Sequence, residues 1–325
     1  MQPHVLKTEL KNTAKWDFGR KHNIIFLSLP NMLRQTLKGT GVAVVTPFKK
    51  DKSIDFAALE NIIELQIAGG INYIVTLGTT GESVVLSEQE KIEVFNCTVN
   101  KVNGRIPIVI GIGGNNTAEV IKSFGKFDLS KVVAILSVTP YYNKPAQEGL
   151  YQHYVALADA APKPILLYNV PGRTGRNMTA ATTLRLAAHK NIAGIKEAGP
   201  EMAQTIAILK DRPSDFLVVS GDDEIVMAQI ACGMDGVISV AANAFPKQFS
   251  DMINFAMSGD FPNAKKINDG LIESYTHMYA ENNPAGIKGF MFEQGLLQNE
   301  LRLPLVPASE ELQLKIKSCL KKMSV

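Results

Sequence analysis

Short runs of β-branched and other apolar residues recur along the chain from residue 39 onward, and each is followed by a longer segment with helical periodicity. The runs lack a strict alternation of apolar and polar positions, which is typical of parallel strands that are covered on both faces. They lie at residues 41–46, 71–77, 106–112, 132–138, 164–170, 192–198, 216–220 and 236–240. Strand and helix are therefore predicted to alternate along this part of the chain.

Eight strand–helix units in about 200 residues predict an α/β fold of the (β/α)8 (TIM) barrel type, whose reactive groups lie on the loops at the carboxyl ends of the strands. The alternative α/β fold, an open doubly wound sheet, is indicated by a G-x-G-x-x-G turn after a strand. The nearest match, at residues 111–116, has Asn116 in place of the last glycine. We interpret this segment as a tight turn.

Helical patterns continue after the eighth strand, at residues 246–258, 261–281, 285–299 and 309–321. This is more helix than closure of a barrel requires. The sequence therefore predicts a catalytic barrel over residues 37–258 and a C-terminal helical appendage over residues 259–325. We expect residues 1–36 to be an N-terminal extension that is poorly ordered or artefactual.

The composition is that of a globular protein, with 46% hydrophobic and 20% charged residues. The formal net charge is +3, but residues 1–38 hold seven Lys or Arg and two acidic residues, so the remainder is slightly acidic. Such a chain lacks the basic folded face of a nucleic-acid-binding protein. No apolar run reaches the ~18 residues of a membrane helix, and three scattered cysteines indicate no disulfide framework. We expect a cytoplasmic protein.

Lys196 is the most informative single residue, because it lies near the end of the apolar run at residues 192–198. Burial disfavours a charged ammonium and makes a neutral amine available, which can attack a carbonyl carbon and form a Schiff base. The alternative is a strand-end lysine that reaches solvent or pairs with Glu197. From the residue and its position, the two interpretations are equally supported.

Other polar residues follow neighbouring strands, so a barrel places them on the same rim. Tyr168 could exchange protons with a Schiff base on Lys196, although a tyrosine in a strand more often packs in the core. Arg173, in a Pro/Gly-rich loop, can bind a carboxylate bidentately or remain solvated. Thr79 and Thr80, in a Gly/Thr-rich segment, can bind a carboxylate or form an ordinary turn.

Tandem tyrosines, Tyr141 and Tyr142, follow the fourth run and indicate a site or an interface. The sequence contains no G-x-S-x-G or P-loop motif, and its five histidines include no pair at metal-ligand spacing. The acidic segment at residues 222–224 could bind a cation but is also explained by the start of a helix. We therefore predict no metal site.

The chain resembles the dihydrodipicolinate synthases (4-hydroxy-tetrahydrodipicolinate synthases) from about residue 37 to the C-terminus, in five motifs on five strand ends. The motifs, in the family's order, are GTTGES (78–83), TPYYN (139–143), YNVPGRTG (168–175), GIKEA (194–198) and SGDD (220–223). The resemblance implies a lyase that condenses pyruvate, held as a Schiff base, with L-aspartate 4-semialdehyde in diaminopimelate and lysine biosynthesis. It implies no external cofactor.

The resemblance also implies a role for each matching residue. The catalytic residues would be the nucleophile Lys196 and a proton relay of Tyr168, Thr79 and Tyr142, the last contributed by a neighbouring subunit. The substrate-binding groups would be Thr80, Arg173 and the backbone of Gly221 and Ile238, with Arg173 on the carboxylate of the semialdehyde. The family is typically a homotetramer built as a dimer of dimers, and the same is implied here.

Three alternatives differ in substrate or in class. N-acetylneuraminate lyases and 2-keto-3-deoxy sugar-acid aldolases share the lysine and the tyrosine, so these two residues do not select the substrate. Thr79 and Arg173 favour a synthase, because sialate lyases typically carry serine and no arginine at these positions. A catalytically silent barrel that only binds keto acids is the alternative from another class.

A regulatory site is implied as well, because feedback-inhibited bacterial members bind L-lysine at the dimer interface. The matching residues here are Ser83, Asn115, Glu119 and Tyr141. Two histidines common in lysine-sensitive members correspond to Glu88 and Lys91. A fixed cation at Lys91 opposes a cationic effector, while Glu88 offsets part of the repulsion. Weak or absent inhibition by lysine is therefore predicted.

Overall fold

The computed structural model describes residues 29–323, which contain a closed barrel of eight parallel strands arranged in sequence order. The strands are β1 Gly39–Ala43, β2 Tyr73–Thr76, β3 Ile108–Gly111, β4 Ala134–Val138, β5 Ile165–Asn169, β6 Ile192–Glu197, β7 Leu217–Ser220 and β8 Gly236–Ser239. Strand β8 pairs with β1 and closes the barrel. The predicted (β/α)8 fold and all eight predicted strands are confirmed.

Helices precede, connect and follow the strands. They are α1 Leu29–Thr36, α2 Phe56–Ala68, α3 Glu88–Val102, α4 Thr117–Ser123, α5 Gln147–Ala160, α6 Pro171–Thr174, α7 Ala180–Ala187, α8 Met202–Asp211, α9 Val226–Ala231, α10 Pro246–Ser258, α11 Phe261–Tyr279, α12 Ala285–Glu293 and α13 Glu310–Met323. No helix within residues 29–323 is both long enough and apolar enough to cross a membrane.

The apolar core has two parts, one between the strands and the helices and one inside the barrel. Tyr73 fills the inner part at the start of β2, where it is fully buried and its hydroxyl donates to the Val237 carbonyl at 3.1 Å. Its ring crosses β1 so closely that a Cβ at Gly41 would lie 2.2 Å from a ring carbon. Tyr73 therefore fills the interior at the amino-terminal end of the barrel.

Helix α1 is attached to the amino-terminal end of the barrel by an ion pair. Asp235, which precedes β8 and is nearly buried, accepts from Arg34 of α1 at 2.9 Å and from Arg212. It also accepts from the backbone N–H of Val218 at 3.0 Å. Residues 29–36, which the sequence assigned to the N-terminal extension, thus form a helix on the barrel; residues 1–28 of the predicted extension lie outside the described residues.

The predicted C-terminal helical appendage consists of α11, α12 and α13. Helix α12 ends at Glu293, so the prediction that it continues to residue 299 is wrong. The helix stops because Gly295 adopts a left-handed φ of 74°, and its N–H bonds to the carbonyl of Phe292. The segment that follows packs against the loops after β1 and β2, where Gln298 accepts from the Lys50 N–H at 3.2 Å and Arg302 donates to the Val85 carbonyl at 3.2 Å.

Candidate active site

A cavity of about 340 Å³ opens at the carboxyl ends of the strands. We call it the strand-end cavity. Six of the residues that the sequence singled out lie in its wall: Thr79, Thr80, Tyr168, Arg173, Lys196 and Gly221. The loops after β2, β5 and β7 and the end of β6 thus bring together the groups that the barrel rule predicted for this rim.

Lys196 and Tyr168 occupy paired positions on β6 and β5, and both face the interior of the barrel. The Lys196 side chain is nearly buried, and its Nζ atom lies 4.5 Å from the centre of the Tyr168 ring. Glu197, the next residue along β6, points to the opposite face of the strand. The alternative in which Lys196 reaches solvent or pairs with Glu197 is therefore wrong.

Glu197 instead joins the ends of β5 and β6 outside the barrel. Its carboxylate accepts from Asn169 Nδ2 at 2.9 Å, from the Gly199 N–H at 2.6 Å and from Gln204 Nε2 at 3.2 Å. Burial raises the pKa of Glu197, and these hydrogen bonds oppose that effect. The network fixes the register in which Tyr168 faces Lys196.

Gly221 lies where the loop after β7 passes against the lysine. A Cβ at this position would be 2.8 Å from Lys196 Cε and 2.6 Å from the Cβ of Ala198, and ordinary contacts do not reach such distances. Only glycine lets the backbone approach this closely. Gly221 therefore leaves room for the extended Lys196 side chain.

Thr79 and Thr80 lie in a tight turn after β2, at residues 78–82, which we call the threonine turn. The turn is closed by hydrogen bonds from the Gly81 N–H to the Gly78 carbonyl at 3.2 Å and from the Glu82 N–H to the Thr79 carbonyl at 3.0 Å. Backbone N–H groups and hydroxyls that converge in such a turn can hold a carboxylate.

Asn283, between α11 and α12, links the threonine turn to the arginine. Its Nδ2 donates to Thr80 Oγ1 at 2.9 Å, and its carbonyl accepts from Arg173 Nη2 at 3.1 Å. Asn283 lines the strand-end cavity together with Asn282 and Tyr279. None of the three was predicted from the sequence, because they lie in or between helical patterns and do not follow a predicted strand.

The acidic segment after β7 has a structural role at Asp223. This buried carboxylate accepts from the N–H groups of Val240 at 3.0 Å and Ala241 at 2.8 Å, and from the Tyr279 hydroxyl at 3.5 Å. Burial raises the pKa of Asp223 to about 6 and is also the main cause of the raised pKa of Tyr279. Among residues 29–323, no cluster of three or more His, Cys, Asp or Glu could hold a metal ion.

Two predicted site residues lie away from the wall of the strand-end cavity. The side chain of Ile238 is fully buried inside the barrel on β8, and Val240, two residues further on, lines the cavity. The implied role of the Ile238 backbone stays a prediction. Tyr142 is 85% exposed and has a left-handed φ of 71°. The contribution of Tyr142 to the site of a neighbouring subunit stays a prediction.

A second cavity of about 420 Å³ lies beside the first and shares Gly78, Thr79, Leu136 and Tyr168 with it. We call it the side cavity. Of the predicted regulatory residues, its wall contains Ser83, Glu88, Lys91 and Tyr141.

The other two predicted regulatory residues are not in that wall. Asn115 Nδ2 lies 3.5 Å from the Tyr141 carbonyl, and Glu119 pairs with Lys122 on the exposed face of α4. Glu88 pairs with Lys126, another wall residue. Lys126 therefore offsets part of the negative charge that Glu88 places near Lys91.

The chain is similar to known proteins over nearly all of its described length. A sequence model of the dihydrodipicolinate synthetase family matches residues 36–323. The 4-hydroxy-tetrahydrodipicolinate synthase of Cytophaga hutchinsonii is 49% identical over 281 residues, which cover 86% of this chain and 95% of that protein.

Solved structures agree with the sequence matches. The chloride-inhibited dihydrodipicolinate synthase of Acinetobacter baumannii, solved in complex with pyruvate, superimposes with a TM-score of 0.86 at 40% identity, over 89% of this chain and 100% of that chain. The enzyme of Cyanidioschyzon merolae with lysine bound gives a TM-score of 0.85 at 32% identity, over 89% of this chain and 99% of that chain. The chain therefore belongs to the dihydrodipicolinate synthetase family.

Proposed function

We propose that the protein catalyses the reaction of its relatives, the 4-hydroxy-tetrahydrodipicolinate synthases. In this reaction pyruvate condenses with L-aspartate 4-semialdehyde, a lyase step of diaminopimelate and lysine biosynthesis. One observation carries the proposal: a nearly buried lysine amine, 4.5 Å from a tyrosine ring, faces a strand-end cavity that also contains the threonine turn and Arg173. An amine, a proton donor and two carboxylate-binding groups are what the condensation requires.

The chemistry begins with attack of the neutral Lys196 amine on the carbonyl carbon of pyruvate, and water leaves as the imine forms. The imine withdraws electrons, so the pyruvate methyl group can lose a proton and give an enamine. The enamine carbon then attacks the aldehyde carbon of the semialdehyde, whose oxygen takes up a proton. The substrate's own amine finally displaces Lys196 from the imine carbon, which closes the ring and frees the lysine.

The polar groups of the cavity have separate roles in proton transfer and in carboxylate binding. Tyr168, next to Lys196, passes protons as the imine forms and collapses, with Thr79 and the partner's copy of Tyr142 completing the relay. The threonine turn holds the pyruvate carboxylate. Arg173 binds the carboxylate of the semialdehyde through two parallel N–H donors. The covalent imine supplies the electron sink, so the reaction needs no external cofactor.

The relay through a neighbouring subunit requires at least a dimer, and we propose the family's tetramer, a dimer of dimers. Tyr142 supports this assembly because it is 85% exposed on the single chain, which is unusual for a large aromatic side chain. The proposed substrates are small metabolites, so we place the enzyme in the cytoplasm.

The test measures consumption of aspartate 4-semialdehyde with pyruvate, coupled to an NADPH-dependent reductase, for the wild type and Lys196→Ala. Borohydride reduction with pyruvate, followed by peptide mass mapping, reports the imine on Lys196. The matched control is Lys190→Ala, which removes an exposed lysine just before β6. We expect Lys196→Ala to lose both turnover and trapping and Lys190→Ala to keep both.

Two results would contradict the proposal. A wild type that traps pyruvate on Lys196 but does not consume the semialdehyde would point to sialic or sugar acids as substrates. A wild type in which borohydride leaves Lys196 unmodified would indicate a barrel without this chemistry.

A further inference from the structure

The threonine turn is held in a conformation that depends on its surroundings. Leu77 and Glu82, on either side of Thr79 and Thr80, have left-handed φ values of 56° and 51°. Non-glycine residues adopt such values at a cost and keep them only where neighbouring groups enforce them. The position of the two threonine side chains therefore depends on what holds Glu82.

Glu82 is held by Lys288 of α12. Both side chains are fully buried, and Lys288 Nζ donates to Glu82 Oε1 and to the Glu300 carbonyl, the latter at 3.0 Å. The same ammonium lies 4.4 Å from the centre of the Phe48 ring. The second carboxylate oxygen of Glu82 accepts from the Arg302 N–H at 3.3 Å. Each charge is thus satisfied by several partners.

Stability alone is a poor explanation for a buried ion pair, because well-packed apolar side chains of similar volume often stabilise a fold as well or better. The ion pair also fixes the position of a Glu82 carboxylate oxygen, because the ammonium holds that oxygen at hydrogen-bond distance. Lys288 and Glu82 lie 206 residues apart, so this bond joins the C-terminal appendage to the loop after β2. The Asn283 hydrogen bond to Thr80 joins the same two regions at the other side of the turn.

We propose that Lys288 is a positioning residue, whose ammonium acts through Glu82 to place the threonine turn for binding of the pyruvate carboxylate. The inference rests on the proposed function, since it assigns the turn to the keto acid. Lys288 itself does not touch the strand-end cavity. A misplaced turn weakens keto-acid binding, whereas Arg173 keeps its hydrogen bond to the backbone carbonyl of Asn283 and its role on the semialdehyde.

The experiment compares the wild type with Lys288→Met and with the double variant Glu82→Gln/Lys288→Met. The double variant leaves no buried charge unpaired, so it is the variant designed to keep its fold. The control is Arg212→Met, which weakens the Asp235 cluster at the opposite end of the barrel. For each we measure the melting temperature, the two KM values and the pyruvate concentration that half-saturates borohydride trapping on Lys196.

We expect the double variant to melt near the wild-type temperature. Its KM for pyruvate and the pyruvate concentration that half-saturates trapping should each rise about tenfold or more. The KM of the double variant for the semialdehyde should stay within about twofold of the wild-type value. Lys288→Met should show the same pyruvate defect in a less stable protein. Arg212→Met should lose stability and keep the wild-type KM for pyruvate.

A double variant with a wild-type KM for pyruvate and wild-type trapping overturns the inference, because the pair would then serve the fold alone. Equal increases in both KM values would also overturn it, since they indicate general loosening of the site. A wild type that neither traps pyruvate nor turns over is a different result: it removes the proposed function, and this inference with it.

Discussion

Acid should destabilise the protein through His153 on α5. Its ring is buried against Tyr154, with centroids 5.2 Å apart, and its Nδ1 lies 2.8 Å from Thr117 Oγ1. Its Nε2 has no hydrogen-bond partner among residues 29–323. Burial of the ring lowers the pKa of His153 from 6.5 to about 4, because a charged imidazolium would lose its hydration there.

The sign and size of the effect follow from the two pKa values. The unfolded chain takes up a proton on this histidine near pH 6.5, whereas the folded chain does so only near pH 4. The contribution of the neutral His153 ring to the free energy of unfolding is therefore complete above pH 6.5 and is lost as the pH falls toward 4. The full loss is about 3 kcal/mol, of which about 2 kcal/mol is lost between pH 7.5 and pH 5.

Urea unfolding at one fixed protein concentration measures this loss for the wild type, His153→Gln and the control Ala160→Gln, an exposed position on the same helix. Because all samples have the same protein concentration, differences in concentration do not alter the contribution of subunit association to the measured stability. Between pH 7.5 and pH 5, His153→Gln should lose about 2 kcal/mol less than the wild type, and Ala160→Gln should behave as the wild type does. Equal losses in all three proteins would refute the reasoning.

Three further predictions concern the site, its regulation and the fold. Gly221→Ala should lower turnover and pyruvate trapping by about 100-fold with an unchanged circular dichroism spectrum, because its Cβ displaces Lys196; retained trapping would contradict this. L-lysine should inhibit weakly or not at all in initial-rate assays, since Lys91 repels it, and strong inhibition at low concentration would show otherwise. Asp235→Ala should lower the free energy of unfolding in urea by about 3 kcal/mol, and a loss below about 1 kcal/mol would be too small for a shared buried acceptor.

The barrel could be predicted because each of its strands and helices is specified by residues that are close together in the sequence. Each strand is a short apolar run, and the helices have an apolar period of their own. Some helices also have a local cap, such as the capping box in which Ser87 and Glu90 exchange hydrogen bonds at the start of α3. The rule that the carboxyl ends of the strands form one rim then brought Thr79, Tyr168 and Lys196 together without further information.

The contacts that complete the site could not be predicted, because they join distant parts of the chain. Thr80 and Asn283 lie 203 residues apart, and periodicity does not indicate which loop a C-terminal helix will contact. The ion pair of Glu88 with Lys126, across 38 residues, was missed for the same reason.

The late position of Lys288 and Asn283 in the chain has a consequence for biosynthesis. A nascent polypeptide that has emerged through β8 already contains Lys196, Tyr168, Thr79 and Arg173. It lacks the groups that fasten the turn after β2, which the ribosome adds tens of residues later. A fragment released early by a premature stop codon would therefore carry the strand-end residues without the contacts that hold the turn after β2.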